Sequence, residues 1–201
     1  TEEDPDEAEA LAEKICELNA ERKNYENAVL ADIYEKIKEN PAVLDKRVIV
    51  FSGVDWHHGV VGIVAARCME KFGRPVFLMS RNRGDTEVRG SARSFGGFSI
   101  FKALSFAADT LTKFGGHSGA GGFSLTEENI PLFDEKLQEF AHGLACDGVS
   151  FSPAVTVCGA VTPGELTAEN IEGLNVLEPF GEANPRPVFL ISDCVITDII
   201  P

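Results

Sequence analysis

RVIVFSG (residues 47–53), HGVVGIVAARCMEKF (58–72) and VFLMS (76–80) follow one another with only short connections between them. The first is a β-branched run that ends in glycine, the signature of a buried strand. The second is apolar nearly all round and long enough for four helical turns, which predicts a buried helix. Gly73-Arg74-Pro75 makes a turn, and the third stretch is again a short apolar strand. Strand, helix and strand in that order predict a parallel pair joined by a crossover helix, and hence an α/β fold.

Working outward, residues 4–40 predict one long helix. Asp4 suits the N-cap and Pro5 the first helical position, Leu11, Ile15, Leu18, Tyr25, Val29, Ile33 and Ile37 fall on one stripe, and Asn40-Pro41 ends it. At 1.5 Å per residue its length is about 50 Å, long for a helix completing a single small core. Downstream, Thr86 to Ser94 predicts a strand, Ile100 to Phe114 a helix, Gly115 to Leu125 a glycine-rich turn entering a strand, and Asn129 to Leu144 a helix. After Cys146 the texture changes. Val155 to Val161 is strand-like, Pro163 to Gly173 a short acidic helix, Leu177 to Pro187 a Pro/Gly/Asn-rich loop, and Val188 to Ile200 strand-like to the end. An apolar strand without a partner exposes its edge, so the chain is expected to stop inside a second domain. The expected organisation is a long helix at 1–44, an α/β domain with a mixed sheet flanked by helices at 45–147, and an incomplete second domain at 148–201.

The 201 residues carry 18 Lys plus Arg against 32 Asp plus Glu, a net charge of −14. A generally basic nucleic-acid coat is thereby excluded. The charge is partitioned, however. Residues 41–115 hold 11 bases and 6 acids, while the segments on either side are strongly acidic. A positive block inside an acidic chain is where a phosphate-bearing ligand is expected. No apolar run approaches the roughly 20 residues of a membrane span, and no secretory signal opens the chain. The five scattered cysteines contain no C-x-x-C, which argues against a zinc site or disulfide scaffold and for the cytoplasm.

Three clusters in and beside the basic block can carry chemistry. Gly53-Val54-Asp55-Trp56-His57-His58-Gly59 joins a strand to a helix N-terminus, where free N–H groups favour an anion and His57 and His58 add donors. In Arg89-Gly90-Ser91-Ala92-Arg93-Ser94, strand alternation puts Arg89, Ser91 and Arg93 on one face and the small residues on the other, a phosphate clamp with planar guanidinium forks. Gly115-Gly116-His117-Ser118-Gly119-Ala120-Gly121-Gly122 has five glycines in eight positions, so backbone must approach something closely or take unusual dihedrals. It follows a helix and opens a strand, the reverse of a dinucleotide fingerprint, and there is no P-loop. The favoured reading is a loop that sets the His117 imidazole and bare N–H groups against a ligand. Each cluster also has a purely structural reading: a capped turn, an edge strand with solvated arginines, and a tight turn. The carboxylates of the basic block are dispersed, so no metal cluster is expected.

These clusters, in this order, resemble the DHHA1 domain of DHH-family phosphoesterases. Trp56-His57-His58-Gly59-Val60-Val61-Gly62-Ile63-Val64-Ala65 resembles its first motif, Gly90-Ser91-Ala92-Arg93-Ser94 its Ser-x-Arg motif, and Lys113-Phe114-Gly115-Gly116-His117 with Ala120-Gly121-Gly122 its Gly-Gly-His motif. Leu18-Asn19-Ala20-Glu21-Arg22 is similar to the family's connector helix. Leu177-Glu178-Pro179-Phe180-Gly181 with Asn184-Pro185 and Pro187-Val188-Phe189 is similar to the lead into an OB-like domain in the family's bacterial single-strand-specific exonucleases. Asp55 stands where the family often has Gly, and the contiguous Asp-His-His that names the family is absent.

The resemblance implies the substrate-binding half of a 5′–3′ exonuclease for single-stranded DNA, acting in repair and recombination. Its Mn2+ or Mg2+ would lie in a DHH domain of the same polypeptide, and this half alone would be inactive. It further implies that Ser91 and Arg93 grip a phosphate, that His117 with the Gly115 and Gly116 N–H groups faces the scissile phosphate, and that His57, His58 and Arg89 line the same substrate site. Two other functions stay open at this level: a DHH phosphodiesterase for short oligonucleotides or cyclic dinucleotides, and a non-catalytic nucleic-acid-binding module like that appended to alanyl-tRNA synthetases.

Overall fold

A computed structural model of the chain describes residues 4–149, 154–181, 183–195 and 197–198. The chain divides into two compact units, Thr1–Pro153 and Ala154–Pro201. In the first, helix α1 (Pro5–Glu39) is followed by strand β1 (Ile49–Val54), helix α2 (His58–Phe72), β2 (Val76–Arg81), β3 (Glu87–Arg93), α3 (Ile100–Phe106), β4 (Lys113–Gly116), β5 (Ala120–Thr126) and α4 (Ile130–Cys146). The sheet order is β1-β2-β3-β5-β4. β1 and β2 are parallel, joined by α2 as the crossover, and every other pairing is antiparallel. The result is a mixed five-stranded sheet flanked by helices, the α/β class expected from the first three stretches.

The two sheet faces bury two apolar clusters, sorted by the two-residue alternation of the strands. Val48, Phe77, Met79, Val88, Ala92, Phe123 and Leu125 point to one side and pack with α3 and α4. Phe77 sits at the centre of that side, its ring 5.8 Å from those of Phe123 and Phe133 and 6.4 Å from Phe98. Ile49, Phe51, Val76 and Leu78 point to the other side and pack with Val29 and Ile33 of α1 and with Val60, Val61, Val64 and Cys68 of α2. This second cluster covers β1 and β2 but contains no residue of β4 or β5.

Several local devices fix the elements. Asp4 caps α1 by accepting the Asp6 N–H at 3.0 Å. Gly73, at φ 62°, closes α2 in the left-handed conformation that glycine adopts at no steric cost. Asp55 also takes φ 59°; its N–H donates to the Arg81 carbonyl at 2.8 Å, and its Oδ1 accepts the Arg83 N–H at 2.8 Å. Gly53 leaves room for Trp56, since a Cβ there would lie 2.0 Å from the indole. Glu26, only 4% exposed, is bonded by both Arg22 and Arg67 and so ties α1 to α2.

The structure departs from the sequence expectations in three places. Only Glu26, Val29, Leu30 and Ile33 of α1 are buried, while Leu11, Ile15 and Leu18 on the expected stripe are exposed. The helix expected over 100–114 stops at Phe106. The Thr110 hydroxyl bonds back to the Ala107 carbonyl at 2.7 Å in a short 3-10 turn, and Lys113–Gly116 then pairs with β5 as an edge strand. In the second unit the strand-like runs contract to β6 (Gly159–Ala160) and β7 (Phe189–Leu190), which pair in parallel, with helix α5 (Ala168–Gly173) between them. Residues 196, 199 and 200 of the expected final strand lie outside the described residues. Within the Leu177–Pro187 loop, the Asn184 amide donates to the Leu177 and Pro179 carbonyls at 2.6 and 3.1 Å. Among the described residues no helix is long and apolar enough to cross a membrane.

Two outcomes follow from this packing. Gly53→Ala should destabilise the fold by about 1–3 kcal/mol through overpacking, read as a lower urea midpoint on the fluorescence of Trp56, the only tryptophan; an unchanged midpoint would contradict the contact. Burial pushes the Cys68 thiol up to about 11 by disfavouring the thiolate, whereas Cys16, Cys146, Cys158 and Cys194 are exposed. Thiol titration at about pH 8 should therefore show four fast cysteines, with Cys68 reacting only after denaturant is added.

Candidate functional site

Strand β3 is half-covered, and its alternation decides what it offers. Val88 and Ala92 are buried on the α4 side, while Glu87, Arg89, Ser91 and Arg93 point the other way. On that second face α2 covers only part of the strand. Its Gly62 comes so close that a Cβ there would lie 2.9 Å from Arg93 Nη2 and 3.0 Å from Ser91 Oγ. The Arg93 guanidinium thus lies between β3 and α2. Its Nη1 donates to Ser91 Oγ at 2.9 Å and to the Ala92 carbonyl at 2.8 Å. Burial pushes the Arg93 pKa down, yet a guanidinium stays charged near neutral pH. None of the ion pairs among the described residues involves Arg93. A half-buried cation held only by neutral acceptors lacks its counter-charge, and an anion bound beside it would supply one.

The register extends this face across the sheet. Ser91 lies opposite Gly122, and Gly122 opposite Gly115; Arg93 lies opposite Ala120. Residues directly opposite each other share a face. Beside Ser91 the sheet is therefore bare backbone, and a Cβ at Gly115 would meet nothing within 4 Å. The β4–β5 turn carries His117 at the Arg93 end of the sheet. Ser94, next to Arg93, locks that turn: its N–H donates to the Gly119 carbonyl at 3.0 Å, and its hydroxyl donates to the Phe98 carbonyl at 2.7 Å and lies 3.1 Å from the Ser118 carbonyl. The His117 N–H donates to the Ala120 carbonyl at 2.8 Å, and the ring Nδ1 accepts the Gly119 N–H at 3.2 Å. With Nδ1 accepting, the neutral imidazole keeps its proton on Nε2 as a free-standing donor. Antiparallel alternation from the His117–Ala120 pair turns the Gly116 N–H outward on the β4 edge and the Gly115 N–H inward to β5. Gly116 itself, at φ 148°, cannot be replaced, because a Cβ would lie 2.3 Å from the Ala120 carbonyl oxygen.

Ser91, Arg93, Gly115, Gly116 and His117 are thus gathered at one end of β3, β4 and β5. Arg89 shares their face but sits four residues from Arg93, about 13 Å along the strand, and its guanidinium donates to Glu87 Oε2 at 2.8 and 3.0 Å. His57 caps α2: its Nδ1 accepts the Gly59 N–H at 3.2 Å, and its ring stacks on Tyr25 at 4.7 Å. His58 is exposed and stands one helical turn before Gly62, hence on the α2 face that meets Arg93. Trp56 belongs to the core, 6% exposed, with its indole N–H donating to Asp32 at 2.9 Å.

Two residues quoted within the sequence motifs were given no role there. Gly62 makes the close approach of α2 possible; within its motif it reads as a glycine inside an otherwise apolar helix, and nothing local shows what it approaches. Lys113 lies opposite Ser124, which lies opposite Arg89, and so joins the same face. It was hidden because the segment reads as helix, where it has no fixed relation to Gly115. As to a metal ion, no three His, Cys, Asp or Glu are grouped to hold one among the described residues. These residues do not fit such a site.

Comparison with known proteins gives the family of the chain. A family model described as the DHHA1 domain matches residues 45–143, and one described as the RecJ OB domain matches residues 159–201. The single-stranded-DNA-specific exonuclease RecJ of Bacillus subtilis (strain 168) is 35% identical over 199 residues, covering 98% of this chain and 25% of that protein. Its namesake from Escherichia coli (strain K12) is 34% identical over 191 residues, 91% of this chain and 32% of that one. The crystal structure of RecJ in complex with Mn2+ from Thermus thermophilus superposes with a TM-score of 0.76 at 34% identity, over 94% of this chain and 27% of that one. The chain spans about a quarter to a third of the length of the curated relatives it matches. Two domain matches in order, identity above 30% along nearly the whole chain and the shared fold place it plainly: the chain belongs to the RecJ family, of which it carries the DHHA1 domain and a segment matching the OB domain.

Proposed function

We propose that these residues are the substrate-gripping half of a 5′–3′ exonuclease that degrades single-stranded DNA in repair and recombination in the cytoplasm. The observation that carries this reading is the half-buried Arg93 guanidinium, braced by Ser91 and without a carboxylate partner among the described residues. A DNA phosphate is the anion that such a fork takes bidentately. Residues 1–44 serve as the connector, 45–147 as the substrate-binding domain and 148–201 as the start of the OB-like domain.

In this reading the phosphate near the 5′ end lies between Arg93, Ser91 and the N-terminal turns of α2, where His58 adds a donor. The bare strip at Gly115 and Gly122 lets the strand lie close to the sheet. The outward Gly116 N–H and His117 Nε2 donate to phosphate oxygens where charge develops, which is where fixed donors lower a barrier most. Arg89 and His57 belong to the wall of the site. The Mn2+ or Mg2+ of hydrolysis belongs to a DHH domain outside these residues, and no step of the cutting reaction is assigned to a metal here. Relatives bearing the RecJ name are single-stranded-DNA-specific exonucleases, and Thermus thermophilus structures hold Mg2+ or Mn2+, which supports a metal-dependent nuclease acting on single-stranded DNA.

Incubated with single-stranded DNA and Mn2+, the 201 residues alone should release no nucleotides; robust degradation would overturn the placement of the cutting site. In the full-length enzyme Arg93→Ala should lower kcat/KM at least about ten-fold, the scale of one lost charge-assisted bond of about 1.5–3 kcal/mol, and unchanged activity would remove Arg93 from the grip. Gly62→Ala should produce a similar defect from the opposite side of the guanidinium, since the new methyl group occupies the space beside Nη2. Its urea midpoint, measured in parallel, separates displacement of Arg93 from general unfolding.

A further inference from the structure

The face that holds Arg93 does not end at the glycine strip. One row further along the strands, Arg89, Ser124 and Lys113 lie side by side on β3, β5 and β4. Together with Gly122 and Phe114 they line a cleft of about 330 Å³, within the size range of small-ligand pockets. The two cations at its ends differ. Arg89 is held by Glu87, whereas none of the ion pairs among the described residues involves Lys113. Lys113 is exposed, on a four-residue edge strand whose outer side carries no neighbouring strand among the described residues. From the roughly 4.8 Å spacing of strands and the roughly 3.3 Å rise per residue, its Cα lies about 16 Å from that of Arg93. Gly115 and Gly122 lie in the row between them, so no side chain on β4 or β5 obstructs the path.

We propose that this cleft is a second backbone subsite, in which Lys113, beside Ser124, takes a phosphate two to three nucleotides along from the one held by Arg93. The proposal rests on the reading of Arg93 as a phosphate grip and deepens it. Two phosphate contacts separated by a bare strip measure the length of a substrate. A mononucleotide or dinucleotide reaches only the Arg93 end, whereas an extended oligonucleotide engages both ends. The site is then built for a polymer and not for a small phosphodiester. Lysine suits this position, because a mobile point charge accepts a phosphate in many orientations and reads no base. Arg89, its charge shared with Glu87, lines the opposite wall of the cleft.

The test is equilibrium binding of 5′-phosphorylated, 3′-fluorescein-labelled oligothymidylates, a dinucleotide and an octanucleotide, to the 201-residue chain and its variants, by anisotropy over a series of salt concentrations. Lys113→Ala is expected to weaken the octanucleotide about five-fold at about 0.1 M salt and to lower the slope of log K against log salt by about 0.7, one single-strand phosphate contact. The dinucleotide should be unaffected, and Lys113→Arg should restore the octanucleotide. Arg93→Ala should weaken both ligands. If Lys113→Ala leaves the octanucleotide unchanged while Arg93→Ala weakens it, the second subsite is wrong and the Arg93 grip stands; that is also the outcome if another protein segment covers this face. Equal loss of both ligands in Lys113→Ala would put Lys113 in the Arg93 site and overturn the proposal. If Arg93→Ala changes neither ligand, or if neither binds the unaltered chain, the functional reading falls as well.

Discussion

A guanidinium held between a sheet and a helix, with only a hydroxyl and a carbonyl among the described residues to receive its protons, is the constraint around which this domain is organised. Arg93 reaches that position because β3 is central in the sheet while α2 covers only part of its outer face. It fits there because Gly62 has no side chain, and it is oriented because Ser91, two residues back on the same face, accepts its Nη1 proton. Removing charge from water is costly unless a partner is supplied, and the neighbouring backbone and hydroxyl supply only part of one. On the proposed reading, a bound phosphate supplies the remainder.

The rest of the unit keeps that position fixed. The Phe77, Phe98, Phe123 and Phe133 cluster anchors the opposite sheet face and so holds β3 in place beneath its half-covered face. Gly90 and Gly121 let Phe123 and α3 seat closely on that side, where any Cβ would collide with Phe123 or with Ile100 and Leu104. Ser94 converts the end of β3 into a buckle, bonding the turn that carries His117 immediately after Arg93. Glu26, bonded by Arg22 and Arg67, ties α1 to α2 near the Tyr25–His57 stack. His57 and His117 share one device, each Nδ1 accepting the N–H two residues ahead. In one case it caps a helix; in the other it braces the turn between β4 and β5.

What the sequence made legible was local. The His58–Phe72 helix ends at a glycine that takes positive φ, and the faces of Arg89, Ser91 and Arg93 follow from strand alternation alone. What it hid depended on distant partners. Phe101, Leu104, Leu111 and Phe114 mimic a helical stripe, and only pairing with β5 shows that Lys113–Gly116 is a strand. Lys113 therefore joins Arg89 through a register of two strand pairs that no local pattern encodes. Gly62 looks like a weak point in a helix until its distance to Arg93 is known. Leu11, Ile15 and Leu18 follow the helical period but lie exposed, since periodicity sets the face of a helix and not what meets it.

The most direct measurement of the central claim is the side-chain Nε–H resonance of Arg93, followed by heteronuclear NMR as a 5′-phosphorylated oligothymidylate is added. The Arg93 resonance is expected to shift and saturate with the ligand, and inorganic phosphate is expected to move it in the same direction. An Arg93 resonance that stays in place while the DNA binds elsewhere would contradict it.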